Sequence, residues 1–233
     1  MSPRYAVYFA PPESSRWHDF GTHWLGRNEF DGQALQQPAL EEIEPQQLDV
    51  LTRVPRRYGF HATLKAPFHL GPGVELPELK SRVTALASNL EPLPLGILKT
   101  AVLGNFVALI PTAAVTGLHE LAAQCVTNLD DLRAPLHASD LAWRQEEQLD
   151  ARAMELLTRY GYPHVLERFR LHFTLTGPVI ADIASMVTRA VAAPVLHLNS
   201  HEPLVLDRLC LFMEPVPNSP FLRIEDFELG VTA

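Results

Sequence analysis

The chain has 233 residues, of which 47% are hydrophobic and 20% are charged, and its formal net charge is −8 at pH 7. This composition is typical of a globular protein with a sizeable core, and it excludes an extensively disordered chain. The negative charge argues against long nucleic acid or an anionic membrane as a partner, because both attract positive protein surfaces.

The targeting and redox signals are those of a soluble cytoplasmic protein. The opening run "YAVYFA" is too short for a signal peptide, and no stretch approaches the length of a membrane span. The only cysteines, Cys125 and Cys210, lie in apolar surroundings, which predicts buried free thiols and a reducing compartment.

The first half of the chain alternates strand-like and helix-like segments. "RYAVYFAPP" predicts an opening strand that the Pro pair ends, and "ESSRWHDFGTHWLG" predicts a helix that ends at Gly26. Residues 28–55 are less regular and indicate a loop with a short helix, the acidic "ALEEIE" lying between two prolines. A strand in "RYGFHATLKAPF", a helix in "ELPELKSRVTALASNL" and two paired strands in "LGILKTAVLG" and "FVALIP" follow.

The second half predicts a similar order of elements. Helical patterns lie in "TGLHELAAQCVTNLDDLRAP", "EEQLDARAMELLTRYGYP" and "IADIASMVTRAVAAP", and strand patterns lie in "LERFRLHFTLTGPV", "LVLDRLCLFMEP" and "FLRIEDFELG". Both halves therefore mix strands and helices, and the length permits either one large domain or two small lobes.

A short internal repeat relates the two halves at an offset of 111 residues. Residues 57–67 and 168–178 share Arg, His, Thr, Leu and Pro at five matched positions. Because side chains alternate along a strand, each histidine shares one face with the threonine two residues later. The repeat thus predicts two matching pairs: His61 with Thr63, and His172 with Thr174.

Further polar residues follow the same alternation. Lys65 and Thr176 come next on the two histidine faces, and Arg57, Arg168 and Arg170 precede the histidines at the same parity. We expect Lys65 and the arginines to be candidates for phosphate contact. The alternative for each of them is a solvated, snorkelling or salt-bridged side chain.

Two histidines that converge on one cleft suit phosphodiester cleavage without a metal. A neutral imidazole can take a proton from water or a hydroxyl while a protonated imidazole donates one to the leaving oxygen, and a pKa near about 6.5 suits both tasks. A threonine hydroxyl on the same face can donate to a phosphoryl oxygen. The two pairs therefore predict acid/base catalysis on a phosphate ester.

The repeated "HATL" and "HFTL" resemble the duplicated signature of the two-histidine (2H) phosphoesterase superfamily, and "RYGFHATLKAPF" resembles its phosphonate-metabolism branch, associated with carbon–phosphorus lyase genes. The resemblance implies an α+β fold of two lobes in one domain over residues 1–233, with two antiparallel sheets and flanking helices around a central groove. It implies His61 and His172 as the catalytic pair and Thr63 and Thr174 as phosphate-binding residues. The longer string adds Tyr58 as a binding candidate.

The expected activity is a metal-independent, cofactor-free cyclic phosphodiesterase that acts on a small nucleoside 2′,3′-cyclic or ribose-derived cyclic phosphate. Two alternatives stay open: an RNA end-processing phosphodiesterase or ligase-like enzyme, and a module that binds a phosphorylated metabolite without turnover. No metal-binding histidine pattern, nucleophile elbow or Gly-rich phosphate loop is present in the sequence. The sequence does not define the oligomeric state.

Overall fold

The computed structural model describes residues 2–136 and 149–230 and shows an α+β protein with six α-helices in this part of the chain. The helices are α1 Arg16–Leu25, α2 Pro45–Arg56, α3 Leu76–Ser88, α4 Leu118–Thr127, α5 Ala151–Tyr160 and α6 Ala181–His201. The strands are β1 Arg4–Phe9, β2 Ala62–Phe68, β3 Leu93–Pro94, β4 Leu98–Leu103, β5 Phe106–Pro111, β6 Phe173–Thr174, β7 Val205–Leu206, β8 Arg208–Glu214 and β9 Leu222–Glu228.

These strands form three antiparallel sheets, where two were expected. A four-stranded sheet has the order β2-β1-β8-β9, and a three-stranded sheet has the order β4-β5-β6. The additional sheet is a two-residue pairing of β3 with β7. The strands associated with the two histidine motifs, β2 and β6, are each the outermost strand of a larger sheet.

Most predicted elements are present, and local chemistry explains where they end. α1 begins after Ser15, whose hydroxyl accepts from the amide of Trp17, and ends at Gly26, which has a φ of 76°. The short helix expected in the irregular region 28–55 is α2, which follows the acidic "ALEEIE". It starts at Pro45, because proline is favoured in the first turn of a helix.

Two other predictions need correction. "LERFRLHFTLTGPV" is not one long strand, because residues Leu166–Arg168 form a 3₁₀ turn and β6 contains only two residues. α6 does not stop at Pro194 but continues to His201. The part of the predicted α5 that precedes residue 149 lies outside the described residues.

One hydrophobic core joins the two larger sheets. Its members include Phe9 of β1, Val107 of β5 and Phe173 of β6, together with Trp17 and Trp24 of α1, all at most 2% exposed. Cys125 and Cys210 are buried free thiols, as expected. Among the described helices, none is long and apolar enough to cross a membrane.

Candidate functional site

A stacked pair of phenylalanines brings the two histidine motifs together. Phe60 precedes His61, Phe173 follows His172, and the two phenyl rings stack with centroids 5.1 Å apart and planes at 24°. Both rings are buried in the common core. Because each ring is adjacent in sequence to one histidine, burial of the pair fixes the two motifs side by side.

His61 lies directly before β2, and two contacts orient its imidazole ring: stacking on a tyrosine ring and a hydrogen bond at Nδ1. The ring stacks on the buried Tyr8 ring with centroids 3.8 Å apart. Its Nδ1 lies 2.9 Å from the carbonyl oxygen of Gly59, and because a carbonyl only accepts, Nδ1 carries the proton and donates it. Nε2 is therefore an acceptor, and the Thr63 hydroxyl lies 3.3 Å from it.

Gly59 is specifically required for this arrangement. Its φ is +83°, a value that side chains with a Cβ adopt at a cost, and an added Cβ would lie 3.0 Å from Cβ of Glu29. The turn at Gly59 directs the carbonyl group at His61. The backbone conformation here therefore sets the tautomer and orientation of the imidazole.

His172 repeats the arrangement directly before β6. Its Nδ1 lies 2.8 Å from the carbonyl oxygen of Arg170, again two residues earlier, so Nε2 is again the acceptor nitrogen. The ring lies 5.7 Å from the ring of Phe106, the first residue of β5. Both histidines thus use the same local hydrogen bond to present Nε2.

A cavity of about 650 Å³, which we call the groove, lies between the two motifs. Thr63 and His172 both line it, whereas His61 is not among the described lining residues, and its Nε2 lies 3.3 Å from the Thr63 hydroxyl. The remaining described lining residues are Leu64, Ala66, Leu103, Gly104, Asn105, Phe106, Tyr162, His164, Val165, Glu167, Arg168, Phe169 and Arg170. A volume of this size is typical of a site for a small ligand.

Burial lowers the pKa of both imidazoles. Loss of hydration brings the pKa of His61 to about 4; the bond to Gly59 and the charge of Glu29 oppose this shift, and a positive charge on His172 adds to it. The pKa of His172 is also lowered, first by burial and then by the charge of Arg170. Both rings are therefore mainly neutral at pH 7, and they are close enough to repel one another when charged.

Lys65 does not share the face of His61 and Thr63, which corrects the expected alternation. In the pairing of β1 with β2, Thr63 faces Tyr8, yet Lys65 faces Val7, so the register shifts by one residue between them. This β-bulge turns Lys65 to the core side of the sheet. There its ammonium group donates to the carbonyl of Val126 and lies 3.2 Å from the carboxylate of Asp130, with the residue 3% exposed.

The three candidate arginines have different surroundings. Arg57 forms an ion pair with the buried carboxylate of Glu214, and Arg168, which lines the groove, forms one with Asp150 at 2.8 Å. Arg170 lines the groove beside His172 and has no carboxylate within ion-pair distance in residues 2–136 and 149–230. Arg170 is therefore the candidate arginine with the fewest competing contacts.

Thr174, the second predicted phosphate-binding threonine, is not among the described residues that line the groove. Thr174 is half-buried and pairs with Ala108 on β5. The next residue of the same parity, Thr176, is fully buried, and its hydroxyl oxygen accepts from the amide of Val107 at 3.0 Å. Thr176 is therefore a structural residue, although the alternation placed it on the face of His172.

Tyr58, the candidate taken from the longer string, lies beside His61. The two ring centroids are 6.3 Å apart, and Tyr58 stacks on Phe221 at 5.1 Å. The guanidinium of Arg57 lies 5.4 Å from the Tyr58 ring, and neither Tyr58 nor Arg57 is among the described residues that line the groove.

Several residues near the site were not predicted from the sequence. Tyr8 supports His61, Phe106 lies beside His172, and Tyr162 and His164 line the groove. The aromatic composition of "YAVYF" marked a strand but gave no reason to single out Tyr8. In the described part of the chain, no three His, Cys, Asp or Glu side chains are placed to hold a metal ion.

Comparison with known proteins gives a family match and two long relatives. The model of a family described as "Protein of unknown function (DUF1045)" matches residues 63–222, which is more than half of the chain. A protein from Janthinobacterium sp. (strain Marseille), named ribose 1,5-bisphosphate phosphokinase PhnN, is 36% identical over 223 residues, or 94% of this chain and 49% of its own length. A protein of the same name from Laribacter hongkongensis (strain HLHK9) is 35% identical over 220 residues, or 94% of this chain and 50% of its own. The chain thus spans about half the length of these relatives.

Proposed function

Since the chain belongs to the DUF1045 family, for which the family description gives no activity, we propose from the groove that it is a metal-independent cyclic phosphodiesterase of the two-histidine type. The substrate in this proposal is a small cyclic phosphate. The two larger sheets would then be the two lobes of a 2H phosphoesterase fold, with one histidine directly before the edge strand of each.

The observation that carries the proposal is the matched pair of imidazoles. Each ring donates Nδ1–H to the carbonyl two residues earlier and presents Nε2 as an acceptor, and the stacked Phe60 and Phe173 hold the two rings near one groove. A histidine with only a structural role has no need of this repeated geometry. Two bases of matched orientation near one cavity are what acid/base catalysis requires.

In the proposed reaction a water molecule attacks the phosphorus atom of the cyclic ester. Nε2 of one histidine takes the proton of that water as the new P–O bond forms, and the P–O bond to the sugar breaks. The departing sugar oxygen receives a proton from Nε2 of the other histidine, in its protonated form. When the substrate binds, the Thr63 hydroxyl, whose oxygen lies 3.3 Å from Nε2 of His61, turns its one proton to a phosphoryl oxygen, which leaves Nε2 free to accept the proton of the water.

We assign the base role to His61 and the acid role to His172. The pKa of His61, about 4, keeps this ring unprotonated at neutral pH, as a base must be. His172 lines the groove directly, so an anionic phosphate bound there would raise its pKa and supply the protonated form. Arg170 and Arg168 lie on the same side, where they can attract the phosphate.

The relatives suggest that the substrate is a ribose phosphate. Ribose 1,5-bisphosphate is the compound in their name, and opening a 1,2-cyclic phosphate of ribose 5-phosphate at O2 would produce that compound. A groove of about 650 Å³ suits such a sugar phosphate. The resemblance to phosphonate-metabolism proteins leads us to propose phosphonate breakdown as the source of the cyclic ester.

The phosphokinase activity in the relatives' name is not part of our proposal for this chain. The sequence contains no Gly-Lys dipeptide and hence no phosphate loop of the common nucleotide-binding form. Because the match spans only about half of each relative, we propose that their phosphokinase activity resides in the part beyond the match.

The test is hydrolysis of defined cyclic phosphates in the presence of a chelator. The panel contains ribose 1,2-cyclic phosphate with and without a 5-phosphate, a nucleoside 2′,3′-cyclic phosphate, and an oligonucleotide that ends in one. We expect turnover of the small esters, and a loss of at least about a thousandfold in both His61→Gln and His172→Gln. Full activity in either variant, or wild-type protein that opens none of these esters, would refute the proposal.

A threonine pair provides the matched control. Thr63→Val removes a hydroxyl in the groove, and we expect kcat to fall about 10- to 100-fold with little change in stability. Thr176→Val removes a hydroxyl from the core, so we expect the free energy of unfolding to fall by about 1–2 kcal/mol while kcat changes less than about threefold. Equal loss of activity in both variants would contradict the assignment of Thr63.

A further inference from the structure

A second cavity adjoins the groove at Ala66, which lines both. Its volume is about 330 Å³, and its described lining includes Arg4, His69, Arg133 and Asn218. None of the described lining residues is acidic, although the chain as a whole carries a net charge of −8. A cationic cavity in an acidic protein indicates a place for an anion.

Arg4 is the residue of this cavity with donors to spare. Its Nε donates to the carboxylate of Glu214, and across residues 2–136 and 149–230 its two terminal amino groups have no hydrogen-bond partner. In Arg133, by contrast, all three guanidinium nitrogens donate hydrogen bonds, to the carboxylate of Asp130 and to the carbonyls of Ala134 and Arg159. The side chain of Arg4 is 33% exposed, so a ligand can reach it.

The pairing at Arg4 leaves a net positive charge. Arg4 and Arg57 both form ion pairs with Glu214, which is 1% exposed, and the amide of Asn218 donates to the same carboxylate. One buried carboxylate therefore orients two guanidinium groups and neutralises only one of them. An oriented guanidinium with free N–H groups is well suited to a phosphate group.

Arg4 lies on the same face of the four-stranded sheet as the His61 motif. Arg4 and Tyr8 point to the same side of β1, and Tyr8 lies opposite Thr63 and stacks on His61. The Phe221 ring is 6.4 Å from Tyr8, and the guanidinium of Arg4 lies 5.7 Å from Phe221. The cationic cavity is thus on the same face of the sheet as the histidine motif and farther along β2.

We propose that this cavity binds a second phosphate group of the substrate, remote from the cyclic ester, with Arg4 as its principal ligand and Arg57 beside it. The assignment rests on the proposed phosphodiesterase function and makes the substrate a sugar with two phosphate groups. Recognition of the remote phosphate would then distinguish this substrate from nucleoside cyclic phosphates that lack it.

The test compares ribose 1,2-cyclic phosphate with and without the 5-phosphate in wild-type protein and Arg4→Gln. We expect Arg4→Gln to lower kcat/KM for the 5-phosphorylated ester at least about tenfold more than for the ester without it. Lys99→Gln, which removes an exposed positive charge on β4, is the control, and we expect it to change neither value more than about twofold. Equal losses on the two esters in Arg4→Gln would overturn the proposal.

A binding measurement separates this proposal from the catalytic one. Calorimetric titration with ribose 5-phosphate needs no turnover, and we expect Arg4→Gln to weaken binding about tenfold and Lys99→Gln to leave it unchanged. Arg4→Lys keeps a positive charge beside Glu214 and replaces Arg4→Gln in this test if Arg4→Gln does not fold. We expect its affinity for ribose 5-phosphate to lie between those of wild-type protein and Arg4→Gln. Wild-type protein that does not bind ribose 5-phosphate, or unchanged binding in the Arg4 variants, would refute the subsite whether or not cyclic esters are hydrolysed.

Discussion

The low pKa of His61 makes the stability of the protein depend on pH in a defined window. Burial lowers this pKa to about 4 in the folded protein, whereas in the unfolded chain it has its ordinary value of about 6.5. The unfolded state therefore binds a proton at His61 before the folded state does. As the pH falls through this interval, protons stabilise the unfolded chain, so stability is full above about pH 6.5 and is lost towards pH 4.

The size of the effect follows from the two pKa values. Each pKa unit corresponds to about 1.4 kcal/mol, so the complete difference is about 3 kcal/mol, of which about 2 kcal/mol is lost between pH 7 and pH 4.5. At pH 7 only about one folded molecule in a thousand carries a proton on His61. His61→Gln removes this component, and its stability should depend less steeply on pH by the same amount.

Two measurements check the prediction. Urea unfolding of wild-type protein and His61→Gln at a series of pH values gives the two stability curves, whose difference isolates His61 from other titrating groups. Proton–nitrogen correlation spectra of the imidazoles give the pKa of His61 directly, with its signals assigned by their loss in His61→Gln. The acid limb of kcat/KM reports the same free-protein pKa if His61 is the base.

Two results would refute the reasoning. Parallel stability curves for wild-type protein and His61→Gln between pH 7 and pH 4.5 would show that His61 has the same pKa in both states. A midpoint near 6.5 in the spectra would show that the ring is well hydrated, and the base role assigned to it would then lose its physical basis.

The surroundings of Lys65 and Gly59 give two further predictions. Lys65→Met should change kcat less than about threefold and lower the free energy of unfolding by about 1–3 kcal/mol, because the ammonium group pairs with Asp130 and not with substrate. A loss of activity above about thirtyfold in steady-state assays would contradict this prediction. Gly59→Ala should lower both kcat and stability, by more than about 1 kcal/mol, because a Cβ there would be strained and would press on Glu29. Gly73→Ala is the control, because Gly73 also has a positive φ, +79°, but nothing lies within 4 Å of an added Cβ. Equal effects on kcat in the two variants would contradict the role of Gly59 in orienting His61.

The parts of the fold that depend on local pattern could be predicted from the sequence. α1 has a capping serine, apolar residues at helical spacing and a terminal glycine, and all three signals lie within residues 15–26. The β4–β5 hairpin is also a local feature, with Gly104 and Asn105 between two β-rich runs. The repeat of His-x-Thr needed no structure either, because it depends on spacing alone.

Other features depend on contacts between distant segments and could not be predicted. The bulge beside Lys65 is defined by the pairing of β2 with β1, and the ion pair with Asp130 joins residues 65 positions apart. Simple alternation assumes an uninterrupted strand, and one extra residue reverses the face of every side chain that follows. Likewise, residues Leu166–Arg168 form a 3₁₀ turn and not a strand, so the alternation of side chains along a strand does not extend back from His172 to Arg168. Arg168 lines the groove from this turn.

The bulge and the inward-pointing Lys65 also affect how this protein meets other molecules. β2 is the outermost strand of its sheet, and an exposed strand edge tends to pair with strands of other chains. A local bulge and a charged side chain directed into the sheet are both features that prevent such pairing, because they spoil the regular ladder a second strand would need. The bulge and Lys65 together therefore disfavour edge-to-edge aggregation at β2.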